Sequence, residues 1–139
     1  MFSKPKYGWT TLTIEDFSFT ASYLTDVPND ICEALTIALN KKINTFVTLD
    51  GENNGECEVL FNMSTNSISF VAYSNDFNPN RIETPIYKMS VVDFAKLFVE
   101  DIEKYKTDWE NWYDEDCKTK INLEPLKRAI KKYEKNSRA

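Results

Sequence analysis

Alternating apolar and polar residues mark the β-strands of this chain. The stretches WTTLTI, residues 9–14, and FSFTASYL, residues 17–24, both alternate, which is the period of a strand with one buried face. Only Glu15 and Asp16 separate them, which predicts a tight β-hairpin, although this pair is not the sequence that two-residue hairpin turns prefer. Strand-like patterns recur at residues 44–50, 56–62, 67–73 and 82–88, so three or four further strands are predicted.

Helical spacing follows the hairpin directly. Apolar residues recur every three or four positions from residue 27 to residue 41, and Pro28 suits the first turn of a helix. Either Thr25 or Asp26 can cap the N-terminus of that helix with a side-chain oxygen. The pattern therefore predicts an amphipathic helix over residues 27–41 that packs on the sheet.

Two more helices are predicted in the C-terminal half. Ser90 and Asp93 have the spacing of a capping box, and Asn122 can cap a last helix that has Pro125 in its first turn. The apolar stripes of these two helices consist of Phe94, Leu97, Phe98, Ile102, Tyr105, Trp109 and Trp112, and of Leu123, Leu126, Ile130 and Tyr133. The elements predict one α+β domain over residues 1–139. Its antiparallel sheet has five to six strands, with one helix after the N-terminal hairpin and two C-terminal helices.

The residue composition disfavours most catalytic mechanisms. The chain of 139 residues has no histidine, which removes the commonest general base, and its three glycines leave no phosphate-binding loop of the GxGxxG kind. Paired carboxylates can still carry out catalysis, so an enzyme is disfavoured rather than excluded. We therefore predict a protein that is not an enzyme and that has no catalytic residues and no cofactor.

Several sequence features predict a cytoplasmic location. No apolar run reaches transmembrane length, and the opening MFSKPKYGW lacks the apolar stretch of a secretory signal. The cysteines Cys32, Cys57 and Cys117 are odd in number and widely spaced, which suits reduced thiols. A net charge of −5 opposes binding to the phosphates of nucleic acid. We predict neither membrane nor nucleic-acid binding, and the sequence leaves the oligomeric state open.

Two acidic segments resemble metal sites in part. The sequence DGENNG, residues 50–55, has the oxygen ligands and the glycine of a calcium loop, but its twelfth position is Phe61 instead of a bidentate carboxylate. The flanking stretches also have strand patterns where that motif needs helices, so we interpret the segment as a polar hairpin turn. The run at residues 114–116 offers three carboxylates whose spacing fixes no coordination geometry. No metal site is predicted.

The most acidic stretch, DWENWYDEDC at residues 108–117, also contains two of the three tryptophans. Trp109 continues the helical stripe and is predicted to lie in the core. An acidic surface with aromatic anchors suits the capture of a basic protein. The predicted partner-binding residues are Asp108, Glu110, Trp112, Tyr113, Asp114, Glu115 and Asp116.

Internal ion pairing is the alternative role of this acidic stretch. Residues 100–117 carry eight acidic and two basic side chains, whereas residues 118–139 carry eight basic and two acidic ones. Lys127, Arg128, Lys131 and Lys132 on the last predicted helix can therefore pair with the acidic block that precedes them. Both hypotheses stay open at the level of the sequence.

The pattern WTTLTIEDFSFTASYLTDVPNDICEAL at residues 9–35 resembles that of small acidic bacterial proteins. In layout the chain is similar to immunity proteins of polymorphic-toxin and contact-dependent inhibition systems. The resemblance implies a protein that binds and neutralises a cognate toxin, often a basic nuclease, inside the producing cell. The shared motif contains no catalytic signature and transfers no functional residue. The alternative functions are a carboxylate-based hydrolytic enzyme, with or without a divalent metal, and a general cytosolic interaction module.

Overall fold

The strands and helices follow the predicted order in a computed structural model, which describes residues 1–73, 81–83, 87, 89–112 and 120–137. The strands are β1 (Trp9–Ile14), β2 (Phe17–Ser22), β3 (Thr45–Asp50), β4 (Glu56–Asn62), β5 (Ser67–Tyr73) and β6 (Arg81–Glu83). The helices within the described ranges are α1 (Val27–Lys41), α2 (Val91–Lys104), α3 (Lys106–Glu110) and α4 (Glu124–Ser137). They form one α+β domain, as predicted.

The strands divide into two sheets, so the prediction of one sheet of five to six strands is wrong. Strands β1 and β2 form a two-stranded antiparallel sheet, and β3, β4, β5 and β6 form a four-stranded antiparallel sheet in chain order. Between β2 and β3 the Ser22 hydroxyl donates to the carbonyl of Asp50 at 3.1 Å, a side-chain bond in place of a backbone ladder. The hairpin packs on the larger sheet through side chains, with Phe17 stacked on Phe70 at 4.3 Å between ring centroids.

Both connections within the hairpins are tight turns. Glu15, between β1 and β2, has φ of 51°, the positive value that the first position of a primed two-residue turn needs. Between β3 and β4 the Gly51 amide donates to the Gly55 carbonyl at 2.7 Å, and residues 52–54 form a short 3₁₀ turn. This confirms that DGENNG is a polar hairpin turn.

The last strand overlaps the predicted residues 82–88 in its described part. Strand β6 begins one residue earlier and comprises Arg81–Glu83, and Tyr87 forms an isolated bridge with Ile68 of β5. The Tyr87 hydroxyl donates to the Asp16 carboxylate at 2.8 Å, which ties the turn of the N-terminal hairpin to the larger sheet. Burial, together with this hydrogen bond, raises the pKa of Tyr87 to about 12.

One face of the four-stranded sheet is covered by helices. Burial alternates along β4, and Val59 and Phe61 on its inner face are fully buried. Phe94 of α2 meets Phe61 edge-to-face with ring centroids 5.1 Å apart, and α1 packs on β3 and β4. The N-terminal Phe2 also enters this core, where its ring lies 6.0 Å from that of Phe98.

Side-chain caps fix the starts of the helices. Asp26 accepts a hydrogen bond from the amide three residues further on at 3.5 Å, and Ser90 does the same at 3.1 Å. Asn122 accepts from the Glu124 amide at 3.1 Å. These bonds satisfy amides that have no partner within the helix. Asp26 and Ser90 are therefore N-caps, with Asp26 and not Thr25 capping α1, whereas Asn122 lies one position before the cap position of α4 and bonds the first amide of that helix from there.

The single helix predicted after Ser90 is interrupted. Helix α2 ends immediately before Tyr105 and α3 begins immediately after it, because Tyr105 has φ of −118° and ψ of 37°, outside the helical range. On the predicted stripe, Phe98 and Trp109 are fully buried, but Leu97 is 38% exposed. On the far side of this break, α3 still contributes Trp109 to the core.

The thiols of Cys32 and Cys57 are free and buried. Burial raises the pKa of the Cys57 thiol to about 12 and also raises that of Cys32. Because the thiolate is the reactive form, both thiols stay protonated and unreactive in the folded protein at about pH 8.

In a Cys117→Ser variant, we expect Ellman's reagent to react with Cys32 and Cys57 only as fast as the protein unfolds. A full equivalent reacting within seconds in the folded protein would contradict this.

Candidate partner-binding site

Helix α3 carries the start of the predicted binding segment and turns its tryptophan inward. Trp109 is fully buried, as predicted, and lies edge-to-face against Phe2 with ring centroids 6.4 Å apart. Trp112, just beyond α3, is 5% exposed and packs against Trp109 with centroids 5.1 Å apart. With so little surface left for a partner, Trp112 is a core residue instead of the surface anchor that the sequence predicts.

Asp108 and Glu110 of α3 reach solvent, with side chains 40% and 36% exposed. Lys4 lies 4.0 Å from the Asp108 carboxylate, and Lys106 lies 3.9 Å from that of Glu110. Exposed ion pairs at these distances contribute little to stability and exchange readily with other partners. We call Asp108 and Glu110 the α3 acidic surface.

The other predicted binding residues, Tyr113, Asp114, Glu115 and Asp116, lie outside the described residues. The acidic run at residues 114–116, whose three carboxylates could offer oxygen ligands to a cation, falls in the same stretch. Within the described ranges, no group of three His, Cys, Asp or Glu side chains is placed to hold a metal ion. The described part of the predicted site is therefore the α3 acidic surface.

The basic helix α4 pairs with α2 in the part of the chain that the structure describes. Lys127 of α4 contacts the carboxylate of Glu103 on α2, and this hydrogen bond raises the pKa of Lys127 above its ordinary value. No described ion pair joins α4 to Asp108 or Glu110, whose partners are Lys4 and Lys106. Arg128, Lys131 and Lys132 form no ion pair with a described residue. Internal pairing with α4 therefore does not occupy the α3 acidic surface.

A second surface, which the sequence analysis does not predict, lies between α1 and the outer edge of β3. It is a groove of about 510 Å³ that is open to solvent, and we call it the α1–β3 groove. Its walls are Asp30, Glu33, Ala34 and Ile37 from α1 and residues 44–48 along β3. Phe46, which is 59% exposed, is the most exposed apolar side chain of the strand.

The helix side of the α1–β3 groove is acidic. Asp30 and Glu33 are three residues apart and lie on one face of α1, and the capping residue Asp26 precedes Asp30 by four residues. Burial raises the pKa of Asp30, and the negative charges of Asp26 and Glu33 raise it further. Neither Asp30 nor Glu33 has a cationic partner among the described residues. The spacing was visible in the sequence, but the groove depends on β3 being an edge strand, which no local pattern reveals.

Comparison of the chain with models of known families, with curated proteins and with solved structures gave no match. None of the described helices is long and apolar enough to cross a membrane. The fold and its surfaces thus define an α+β domain with two candidate contact surfaces in its described part, the α3 acidic surface and the α1–β3 groove, and both include acidic side chains.

Proposed function

We propose that the protein is a non-enzymatic binding module that captures a basic protein partner. In its most specific version, the proposal is that the protein is an immunity protein, which binds and neutralises a cognate bacterial toxin, such as a basic nuclease, in the cytoplasm. The proposed contact is the α3 acidic surface, continued along the chain by Tyr113, Asp114, Glu115 and Asp116.

The proposal rests on how α3 divides its side chains between core and solvent. Trp109 is fully buried and fixes the helix to the core, whereas its neighbours Asp108 and Glu110 flank it on the two sides of the helix and keep side chains that are 40% and 36% exposed. The two carboxylates therefore stand on a helix that is already in place, which lowers the ordering cost of binding. Negative charge at such a surface also raises the rate of encounter with a basic partner.

Neutralisation by this route needs no chemical step. A nuclease holds the phosphates of its substrate with Lys and Arg side chains, and those same side chains attract carboxylates. A protein that places carboxylates on the basic surface of the toxin excludes the nucleic acid as long as it stays bound. Inhibition is then stoichiometric, which distinguishes a binding module from an enzyme that modifies the toxin.

Co-expression with the product of the adjacent gene tests the proposed function, because an immunity gene sits directly beside its toxin gene. We expect the two proteins to co-purify as a stable complex and the chain to restore growth of cells in which the adjacent product is toxic. Titration in vitro should end at one chain per toxin molecule.

Two outcomes would count against the proposal. If the purified adjacent product and this chain do not associate and growth is not restored, the immunity function is wrong. If a small fraction of an equivalent inactivates all of the toxin over time, the chain acts as an enzyme instead of a binding module. In the second case the carboxylate-based alternative becomes the better account.

A further inference from the structure

Strand β3 has one open edge. It pairs with β4 on one side, and within the described ranges no strand is hydrogen-bonded to its other side. The Gly51 amide bonds to Gly55 across the β3–β4 hairpin, and the Asp50 carbonyl instead accepts from Ser22 on the outer side. Because backbone groups alternate in direction along an antiparallel ladder, those of Thr48 and Phe46 also point outward. Among the described residues, the outer backbone groups of Thr48 and Phe46 have no backbone hydrogen-bond partner, and they recur at regular spacing along the edge.

The sequence of β3 leaves this edge unprotected. Soluble proteins usually block an edge strand with lysine, proline or a bulge. The strand TFVTLD contains no lysine and no proline, and its six residues pair with β4 in unbroken register. The start of β3 is also held in place, because the Thr45 hydroxyl donates to the Ala34 carbonyl of α1 at 2.9 Å. The edge is a fixed template onto which another strand can add.

The two faces of such an added strand would meet different surroundings. Side chains on one face would enter the α1–β3 groove and meet Ala34 and Ile37 together with Asp30 and Glu33. Lysine or arginine suits that wall, because its aliphatic part can cover the apolar side chains while its charge reaches the carboxylates. Side chains on the opposite face would lie beside the exposed ring of Phe46, which suits apolar residues.

We propose that the open edge of β3 and the α1–β3 groove bind an extended segment of another protein in which basic and apolar residues alternate. The segment adds as a fifth strand to the four-stranded sheet, its backbone bonding to the outer groups of Thr48 and Phe46. Its basic side chains pair with Asp30 and Glu33, which have no cationic partner among the described residues. The unfavourable concentration of negative charge around Asp30 supports a cationic occupant.

A second copy of this chain is a poor occupant of the same edge. Its own β3 contributes no basic side chain, since the strand reads TFVTLD. Pairing of two β3 strands about a two-fold axis would also bring the acidic faces of two α1 helices together, and Asp30 and Glu33 would repel their counterparts. Charge complementarity therefore selects a basic segment of a different protein. This surface is separate from Asp108 and Glu110 and does not depend on the proposed function.

A synthetic peptide tests the proposal without knowledge of the natural partner. The probe is as long as β3, six residues, and alternates lysine with valine. We expect saturable binding at low salt in titrations up to about 1 mM, with chemical-shift changes of backbone amides concentrated in β3 and α1. The amides of Phe46 and Thr48 should exchange rapidly with solvent in the free protein and slowly in the complex. A control peptide with glutamate in place of lysine should not bind.

N-methylated peptides separate strand addition from simple charge attraction. In an extended strand, alternate amides point to opposite edges. Methylation of all lysine amides in one peptide, and of all valine amides in another, blocks one edge at a time. We expect one of these two peptides to lose binding and the other to keep it. The identity of the inactive peptide then reports whether the added strand runs parallel or antiparallel to β3.

Charge reversal on α1 tests the contribution of the groove. The variant with Asp30→Lys and Glu33→Lys is expected to bind the peptide about tenfold more weakly at low salt. Its matched control, with Glu52→Lys and Glu56→Lys, makes the same change in net charge at exposed residues of the β3–β4 hairpin. The control should bind with nearly unchanged affinity. Thermal melts of both variants establish that they are folded.

Several results would overturn the proposal. These are absence of saturable peptide binding, equal binding of both N-methylated peptides, and equal loss of binding in the α1 variant and its control. Slow exchange of the Phe46 and Thr48 amides in the free protein would show that the edge is already occupied, by this chain or by a second copy, and would equally overturn it. None of these measurements involves a toxin, so they succeed or fail independently of the immunity function.

Discussion

Truncation of Trp109 to alanine is expected to lower the free energy of unfolding by about 3–5 kcal/mol, the cost typical of removing a large aromatic side chain from a core. Trp109 has no exposed surface and contacts the rings of Phe2 and Trp112. Its indole N–H has no hydrogen-bond acceptor among the described residues, so the loss is one of packing. Denaturant titration followed by circular dichroism measures it.

The matched control is Trp9→Ala, which removes the same side chain from a half-buried position in β1. This variant should lose less stability than Trp109→Ala, because less apolar surface returns to water. Tyr113→Ala is also predicted to change stability little, on the sequence argument that Tyr113 lies beyond the helical stripe. If the denaturation midpoint of Trp109→Ala equals that of the unaltered protein, α3 is not held to the core by its tryptophan.

Local patterns predicted most of the secondary structure. Helix α1 begins and ends at the residues that its apolar period and its flanking cap indicate, residues 27–41. Strands β4 and β5 have the predicted bounds, and β3 is one residue shorter than predicted. Periodicity and capping are properties of neighbouring residues, so a single sequence contains them in full.

The features that the sequence did not predict depend on contacts between residues that are far apart in the sequence. No backbone ladder joins β2 to β3 in the described residues, where the Ser22 side chain bonds to Asp50, and nothing around Ser22 in the sequence indicates this. The burial of Phe2 against Phe98 joins residues that are far apart in the sequence, and no helical or strand period surrounds Phe2. The break at Tyr105 is likewise invisible in an apolar stripe that continues across it.

For the candidate site, too, the sequence predicted the local features and missed those that depend on distant contacts. Runs of charge indicate exposure, and the side chains of Asp108 and Glu110 do reach solvent, although both residues are partly buried. An aromatic residue within an acidic run suits a core or a surface equally well, and Trp112 proved to be buried because it packs on Trp109. The α1–β3 groove could not be predicted, because an edge strand is defined by the absence of a neighbour and not by its own sequence.

Reversal of the charges on the α3 acidic surface, with Asp108→Lys and Glu110→Lys, is expected to slow association with the basic partner about tenfold at low salt. The reason is that exposed charges act mainly on encounter, so the dissociation rate should change much less. Salt screens the attraction, and the difference from the unaltered protein should shrink as ionic strength rises. Thermal stability should stay nearly the same, because Lys4 and Lys106 form only exposed ion pairs with these residues.

Stopped-flow association kinetics at several salt concentrations measure this effect, and the variant with Glu52→Lys and Glu56→Lys again supplies the control of equal net charge. Net charge alone would slow both variants equally, whereas a specific surface slows only the α3 variant. Extending the reversal to Asp114, Glu115 and Asp116 should slow association further if the contact continues along the chain, as proposed.

An α3 variant that associates at the rate of the unaltered protein at every salt concentration would mean that α3 has a structural role and does not contact the partner. The partner would then bind elsewhere, and the α1–β3 groove becomes the first place to look, since it presents acidic side chains with no cationic partner among the described residues.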